Sequence, residues 1–226
     1  MINTIAHLAD IHIKNDLTTH EEYEVQFKKL YKKLKQIKPD RIVVVGDITH
    51  NWLSCSYECE IMAVKFIVEL SKIAHTIVVE GNHCIRKTDL KRASALKNFV
   101  SSIKKANPKL KLTHYNASGF YEDENIVWVN HSHLEKNINP WEDIEHEIDP
   151  DKTYIDLFHD PIYGSSNDIG YKFEDKKNRK ISDFKGDFGM FGDIHKYQIW
   201  TKYEEKEIDM SELDYYLENN WEKVKK

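Results

Sequence analysis

A chain of 226 residues, 40% hydrophobic and 31% charged, can bury the core of one domain or one domain with a small appendage. No apolar run approaches the ~20 residues a membrane span needs, and Met1-Ile2-Asn3-Thr4-Ile5 has no basic leader, so a soluble and unsecreted protein is expected. The net charge of −5 does not mark a nucleic-acid binder, and three cysteines without a CxxC pair argue against a disulfide scaffold and for a reducing compartment, the cytoplasm.

In chain order, Ile2–Ala9 reads as a first strand that delivers Asp10 and His12. With one residue between them, an extended backbone would put both side chains on one face. Glu21–Lys38 follows as a helix with an apolar stripe of Phe27, Leu30, Tyr31, Leu34 and Ile37. Arg41–Val45 is an unbroken β-branched run ending in Gly46-Asp47, the pattern of a strand buried on both faces. Tyr57–Ala74 reads as a second helix, Thr76–Val79 as a third strand and Asp89–Lys105 as a third helix. This βαβαβα order predicts a parallel sheet with right-handed crossovers. Beyond it, short strands at Leu110–Tyr115, Gly119–Tyr121, Ile126–Asn130, Tyr154–His159, Phe188–Phe191 and Tyr197–Trp200 predict a second, partly antiparallel sheet. A long loop occupies 164–185, and Met210–Val224 is an acidic helix with Leu213, Tyr216, Leu217 and Trp221 on one side.

Five apolar runs stop on residues that ligate metals. They are Leu8-Ala9-Asp10-Ile11-His12, Val45-Gly46-Asp47, Glu80-Gly81-Asn82-His83, Phe158-His159 and Phe191-Gly192-Asp193-Ile194-His195. One such stop is an ordinary turn. Five of them point to a metal site at one rim of a sheet, where ligands bind in open α/β folds. Carboxylates, an amide oxygen and imidazoles suit manganese, zinc or iron. Two such ions sharing a carboxylate clamp both oxygens of a phosphoryl transfer and activate hydroxide, so no Ser or Cys nucleophile is required. An imidazole outside the ligand set can protonate the leaving group.

The series Asp-x-His, Gly-Asp, Gly-Asn-His, His, Gly-x-x-His resembles the calcineurin-like metallophosphoesterase superfamily. Leu8–His12, the block Leu157–Tyr171 and Gly192–Gln198 look most like the SbcD-type DNA-repair nucleases, viral forms especially. The likeness covers about residues 1–200 and leaves 201–226 as a separate acidic tail. It implies an α/β fold, a four-layer αββα sandwich, with a dinuclear manganese site and exo- and endonuclease activity on DNA. It also implies an SbcC-like ATPase partner, or a separate C-terminal chain, in the cytoplasm (the host's, for a viral protein). Carried over by motif, Asp10, His12 and His195 hold one metal and Asp47 bridges both. Asn82 and His159 hold the second, Asp193 joins the ligand set, and His83 donates a proton.

The chain departs from that pattern at Asp193, where a histidine is usual, and at Cys84, where an acid commonly follows Asn-His and orients the histidine. Charge is unevenly spread. Residues 84–112 carry nine Lys or Arg against one acid, and residues 122–160 carry twelve acids against two lysines. His50, His131 and His133 stand as candidates to line the cleft. The remaining histidines and Cys55 and Cys59 read as structural or solvated. Two other functions compete: a phosphoesterase acting on nucleotides or phosphoproteins, and a weakly active subunit that docks DNA or a partner. Gly46-Asp47-Ile48-Thr49-His50-Asn51-Trp52 lacks the Gly-Asp-x-x-Asp-Arg-Gly pattern of phosphoprotein phosphatases.

Overall fold

Parallel strands covered on both faces need no polar alternation, and the β-branched run at Arg41–Val45 forms the middle of such a sheet. A computed structural model describes residues 1–51, 54–84, 95–167, 169–194, 199–200 and 205–206, the last two pairs by backbone alone. Strands β1 (Ile5–Ala9), β2 (Arg41–Val45), β3 (His75–Val79) and β4 (Leu112–Tyr115) lie in that order, all parallel. Helices α1 (Leu17–Ile37) and α2 (Tyr57–Ile73) connect the first three, and α3 (Ala95–Ala106) precedes β4.

Helix α1 begins at Leu17, earlier than the expected Glu21, because the Asp16 side chain accepts from the Thr18 amide at 3.0 Å and caps it. Lys38 ends it in a left-handed turn (φ 54°) whose N–H donates to Leu34 O, and Pro39 follows. Cys59 in the first turn of α2 is a buried free thiol that donates to Ile13 O at 3.4 Å.

The second sheet holds β5 (Gly119–Asp123), β6 (Ile126–His131), β7 (Thr153–His159) and β8 (Phe188–Gly192). Within this sheet only β5 runs antiparallel to its neighbour, whereas the strand expected at Leu110–Tyr115 among these is β4 and joins the first sheet, parallel to β3. Side-chain alternation sorts the layers. Ile42, Val44 and Val78 face the helices with Phe66 and Leu70, whereas Val43, Val45 and Val79 meet Trp128, Ile155 and Leu157 of the second sheet. Each such fully buried side chain contributes about 1.5–3 kcal/mol. Beyond the second sheet, Val127, Val129 and Tyr154 pack with Trp141 of α4 (Pro140–Asp143). The fourth layer of the expected sandwich is thus thin here: among the described residues its only α-helix is one turn.

That layer is pinned by a buried carboxylate. Asp156 on β7 accepts from Trp141 Nε1 at 2.7 Å, His131 Nε2 at 2.8 Å and the Gly186 amide at 2.8 Å. Burial holds the His131 pKa below its ordinary value despite that carboxylate. At the opposite rim Arg41 closes on Asp123 with Nε at 2.7 Å and Nη2 at 2.6 Å, tying the two sheets together. The strand expected at Tyr197–Trp200 in the second sheet is instead β9 (Ile199–Trp200), which pairs antiparallel with β10 (Glu205–Lys206) in a sheet of their own. The acidic helix expected at Met210–Val224, and the start of the helix expected from Asp89, lie outside the described residues. Among the described residues no helix is long and apolar enough to cross a membrane.

Candidate metal centre

Strands β1, β2, β3, β7 and β8 all end on the same rim, so the five stops in the sequence become neighbours. The first does so by a different route from the one its spacing suggests. Strand β1 ends at Ala9, and Asp10 and His12 both adopt left-handed backbone (φ 54° and 49°). The chain coils rather than extends, and it is this coil that brings Asp10 Oδ1 within 3.8 Å of His12 Nε2. The coil is pinned to the next segment by His12 N–H to Asp47 O, Ile13 N–H to Ile48 O and His50 N–H to Ile13 O, each 2.9 Å.

Asp47 is the hub. It is fully buried, also left-handed (φ 44°), and its Oδ1 accepts the His83 amide at 3.1 Å. Its Oδ2 lies 3.2 Å from His159 Nε2 and 3.7 Å from both His12 Nε2 and His83 Nε2. Yet Asp47 Oδ2 and His159 Nε2 are buried without an aligned hydrogen bond. Such atoms cost ~1–3 kcal/mol each unless something satisfies them. Two sets of ligand atoms each lie within 4.8 Å of one another, His12, Asp47 and His83 in one and Asp10, Asp47 and His159 in the other. Asp47 belongs to both. A pair of cations sharing that carboxylate fits this donor set, and it would meet both orphaned atoms.

His159 is prepared for such a role by its other nitrogen. Nδ1 lies 2.7 Å from Val45 O, the outer hydrogen bond that fixes the tautomer of a metal-binding imidazole. Burial lowers the His159 pKa, but the carboxylates of Asp47, Asp10 and Asp193 outweigh it and raise the value to about 9. Burial likewise opposes ionisation of Asp47, and His159 and His83 outweigh it, holding the carboxyl below its usual range. A cation would replace the His159 proton, so metal binding releases protons and tightens as pH rises.

Three glycines make the room. A Cβ on Gly46 would stand 2.1 Å from His159 Nδ1, one on Gly192 2.4 Å from the same atom, and one on Gly81 2.1 Å from Asp47 Oδ1. Gly46 is also left-handed (φ 75°). Gly46→Ala should therefore displace the His159 ring and weaken metal affinity by roughly 10–100-fold in a metal titration. Gly164→Ala is the control, with φ 88° but no atom within 4 Å of the new Cβ. It should cost backbone strain and leave metal affinity unchanged.

Asp193 (φ 72°) does not join either ligand set. Its N–H donates to both Asp10 carboxylate oxygens at 3.0 Å, and its own Oδ1 accepts from Asn82 Nδ2 at 2.9 Å. Asp193 thus holds Asn82 by its amide nitrogen, so that the carbonyl oxygen is the end left for a cation. Burial and the charges of Asp160 and Asp47 raise the Asp193 pKa, against the opposing pull of His159. His195 lies outside the described residues. Cys84 is buried at the end of the short turn Asn82–Cys84, its Sγ 3.4 Å from the Gly81 amide and its thiol pKa pushed well up by burial. The His83 ring is set instead among the rings of His12 and His50, with centroids 5.2 Å away in each case.

His50 is the residue that sequence reasoning placed least firmly. Its ring is exposed at the mouth of the site, 5.4 Å from that of His12. Only its position three after Asp47 hinted at this. His131 and His133 point elsewhere, to Asp156 and to Asp160 at 3.5 Å.

The model of the calcineurin-like phosphoesterase family matches residues 3–197. The chain belongs to this family. Its members are metal-dependent phosphoesterases, which agrees with the two ligand sets around Asp47. The chain is also similar to the uncharacterized protein R555 of Acanthamoeba polyphaga mimivirus, at 32% identity over 210 residues. That match takes in 89% of this chain, which spans only 15% of the relative's length. Among solved structures, the crystal structure of the nuclease MPE of Pseudomonas putida aligns at 12% identity with a TM-score of 0.32, covering 66% of this chain and 57% of that one.

Proposed function

We propose that the chain is a DNA exo- and endonuclease of the SbcD type that works through two divalent cations, manganese by the resemblance of its motifs. The observation that carries the dinuclear reading is the buried, unsatisfied Asp47 Oδ2 at the junction of two ligand sets. Asp10, His12, Asp47, Asn82, His159 and His195 are assigned to the cations, with Asp193 orienting Asn82. Bound there, the cations would supply an activated water at neutral pH and neutralise charge on the phosphoryl oxygens.

The remaining chemistry falls to the chain's own side chains. His83 is 35% exposed, so its ring reaches both Asp47 and the open mouth of the site. That is where a proton donor to the departing oxygen must stand. Among the described residues the site presents no serine or cysteine nucleophile, and Cys84 is buried and held in its thiol form. Duplex DNA demands surface that neutralises many phosphates. We assign that task in part to a separate chain, an SbcC-like ATPase or a C-terminal portion, because this chain carries a net charge of −5.

The deciding experiment compares linear DNA with a small chromogenic phosphodiester, both with manganese. Cleavage of both is expected, with weak activity on short or single-stranded DNA and more on duplex once a partner is added. Cleavage of the small ester alone would reduce the protein to a phosphoesterase of another substrate. Processive duplex cleavage by this chain at physiological salt would remove the need for a partner.

A further inference from the structure

Strand β7 does not end in a slack loop. The chain leaves His159 and forms a hairpin with arms 162–167 and 169–173, then turns back so that Arg179 pairs parallel to Ile162. Tyr163 N–H donates to Arg179 O at 2.8 Å, Gly164 N–H to Phe173 O at 2.8 Å, and Phe173 N–H returns to Ser165 O at 2.8 Å. Asn167 N–H donates to Tyr171 O at 3.0 Å, and the Asn167 side chain accepts the Tyr171 amide at 2.8 Å. The base is anchored in the core, where Ile162 and Ser165 are fully buried and Arg179 donates to Ile138 O at 2.6 Å.

On this support the exposed side chains are three apolar or aromatic residues, four lysines and two carboxylates, Glu174 and Asp175. Ile169 at the tip is 84% exposed, Tyr171 62% and Tyr163 37%, three within nine residues. Around them Lys172, Lys176, Lys177 and Lys180 are all exposed. Aromatic faces on a hydrogen-bonded hairpin, with four lysines in the same segment against two carboxylates, suit a strand of unpaired bases. Rings take the bases and lysines take the phosphates. Tyr163 is four residues from His159, so its Cα lies within ~14 Å of that ligand's.

We infer that the 162–180 segment is a stacking platform for single-stranded nucleic acid, which it leads into the metal centre. Tyr171 and Tyr163 stack on bases, and Ile169 wedges at the junction where strands separate, as apolar side chains do between base steps. The lysines neutralise the backbone. This rests on the nuclease reading of the same site.

The test uses the whole chain and a fluorescein-labelled oligothymidylate, with binding followed by anisotropy in calcium so that no cleavage intervenes. Tyr171→Ala should weaken binding about tenfold or more, whereas Tyr171→Phe should retain it, since stacking needs only the ring. Lys176→Ala and Lys177→Ala should each lower the slope of log affinity against log salt by about 0.7. Metal content and turnover of the small chromogenic phosphodiester should stay at the parent level in all of these variants. If the parent binds the oligonucleotide and Tyr171→Ala binds equally well, the platform is wrong. If the parent hydrolyses the small ester but binds no single strand, the platform fails and the phosphoesterase centre stands. Binding that depends on Tyr171 in a chain that cleaves nothing would keep the platform and overturn the nuclease.

Discussion

Asp47→Ala should strip both cations from the protein and abolish hydrolysis. Asp47 is the one side chain common to both ligand sets, and three imidazoles converge on its Oδ2. Without it, two cations would share one buried carboxylate fewer. The loss also frees the His83 amide, which Asp47 Oδ1 holds at 3.1 Å, so the loop carrying Asn82 and His83 loses its anchor. Metal chemistry of this kind supplies several kcal/mol of transition-state stabilisation, so activity should fall about 10³-fold or more. Elemental analysis is the decisive measurement. An Asp47→Ala protein that retains the parent's metal stoichiometry would remove the bridging assignment.

His83→Ala should do something different: keep the metals and lose turnover by about 10²–10⁴-fold. The geometry makes this a sharp test, because His83 Nε2 is close enough to Asp47 and His12 to be read as a ligand. A proton donor matters in proportion to how poor the leaving group is. The loss should therefore be large with DNA, whose departing alkoxide needs a proton, and small with a p-nitrophenyl ester, whose phenolate does not. A ligand would behave otherwise, with equal losses on both substrates and recovery at high metal concentration. That pattern would reassign His83 to the cations.

How far the sequence foretold this arrangement depends on the type of signal. The runs Arg41–Val45 and His75–Val79 were readable because a strand buried on both faces writes its burial into every position. The ends of those runs marked the rim, since Asp, Asn and His after β-branched residues are costly unless something uses them. The path of the Asp10–His12 segment was not readable. Spacing suggested alternation along a strand, but two successive left-handed turns are a property of how the segment pairs with Ile48 and Asp47, far along the chain. The Asn82–Asp193 hydrogen bond joins residues 111 apart, and no local pattern encodes it. The same holds for His131, whose partner Asp156 arrives from the next strand and turns a candidate site residue into a tie for the outer layer.

The left-handed backbone at Asp10, His12, Asp47 and Asp193 bears on how the protein behaves without its metals. Left-handed backbone costs an ordinary L residue about 1–2 kcal/mol and Asp less, and the crowded carboxylates add repulsion on top. Against a net stability of ~5–15 kcal/mol for an ordinary domain, that is a substantial spring held compressed at one rim. Cations bound there would be more than reagents, because they would relieve the charge crowding that these turns maintain. A chelated protein should be softest at this rim. Opening should begin at the amides of His12, Ile13 and His50, while the β-branched strands beneath stay closed. Storage in chelating buffer would then harm this protein through its fold as well as its activity.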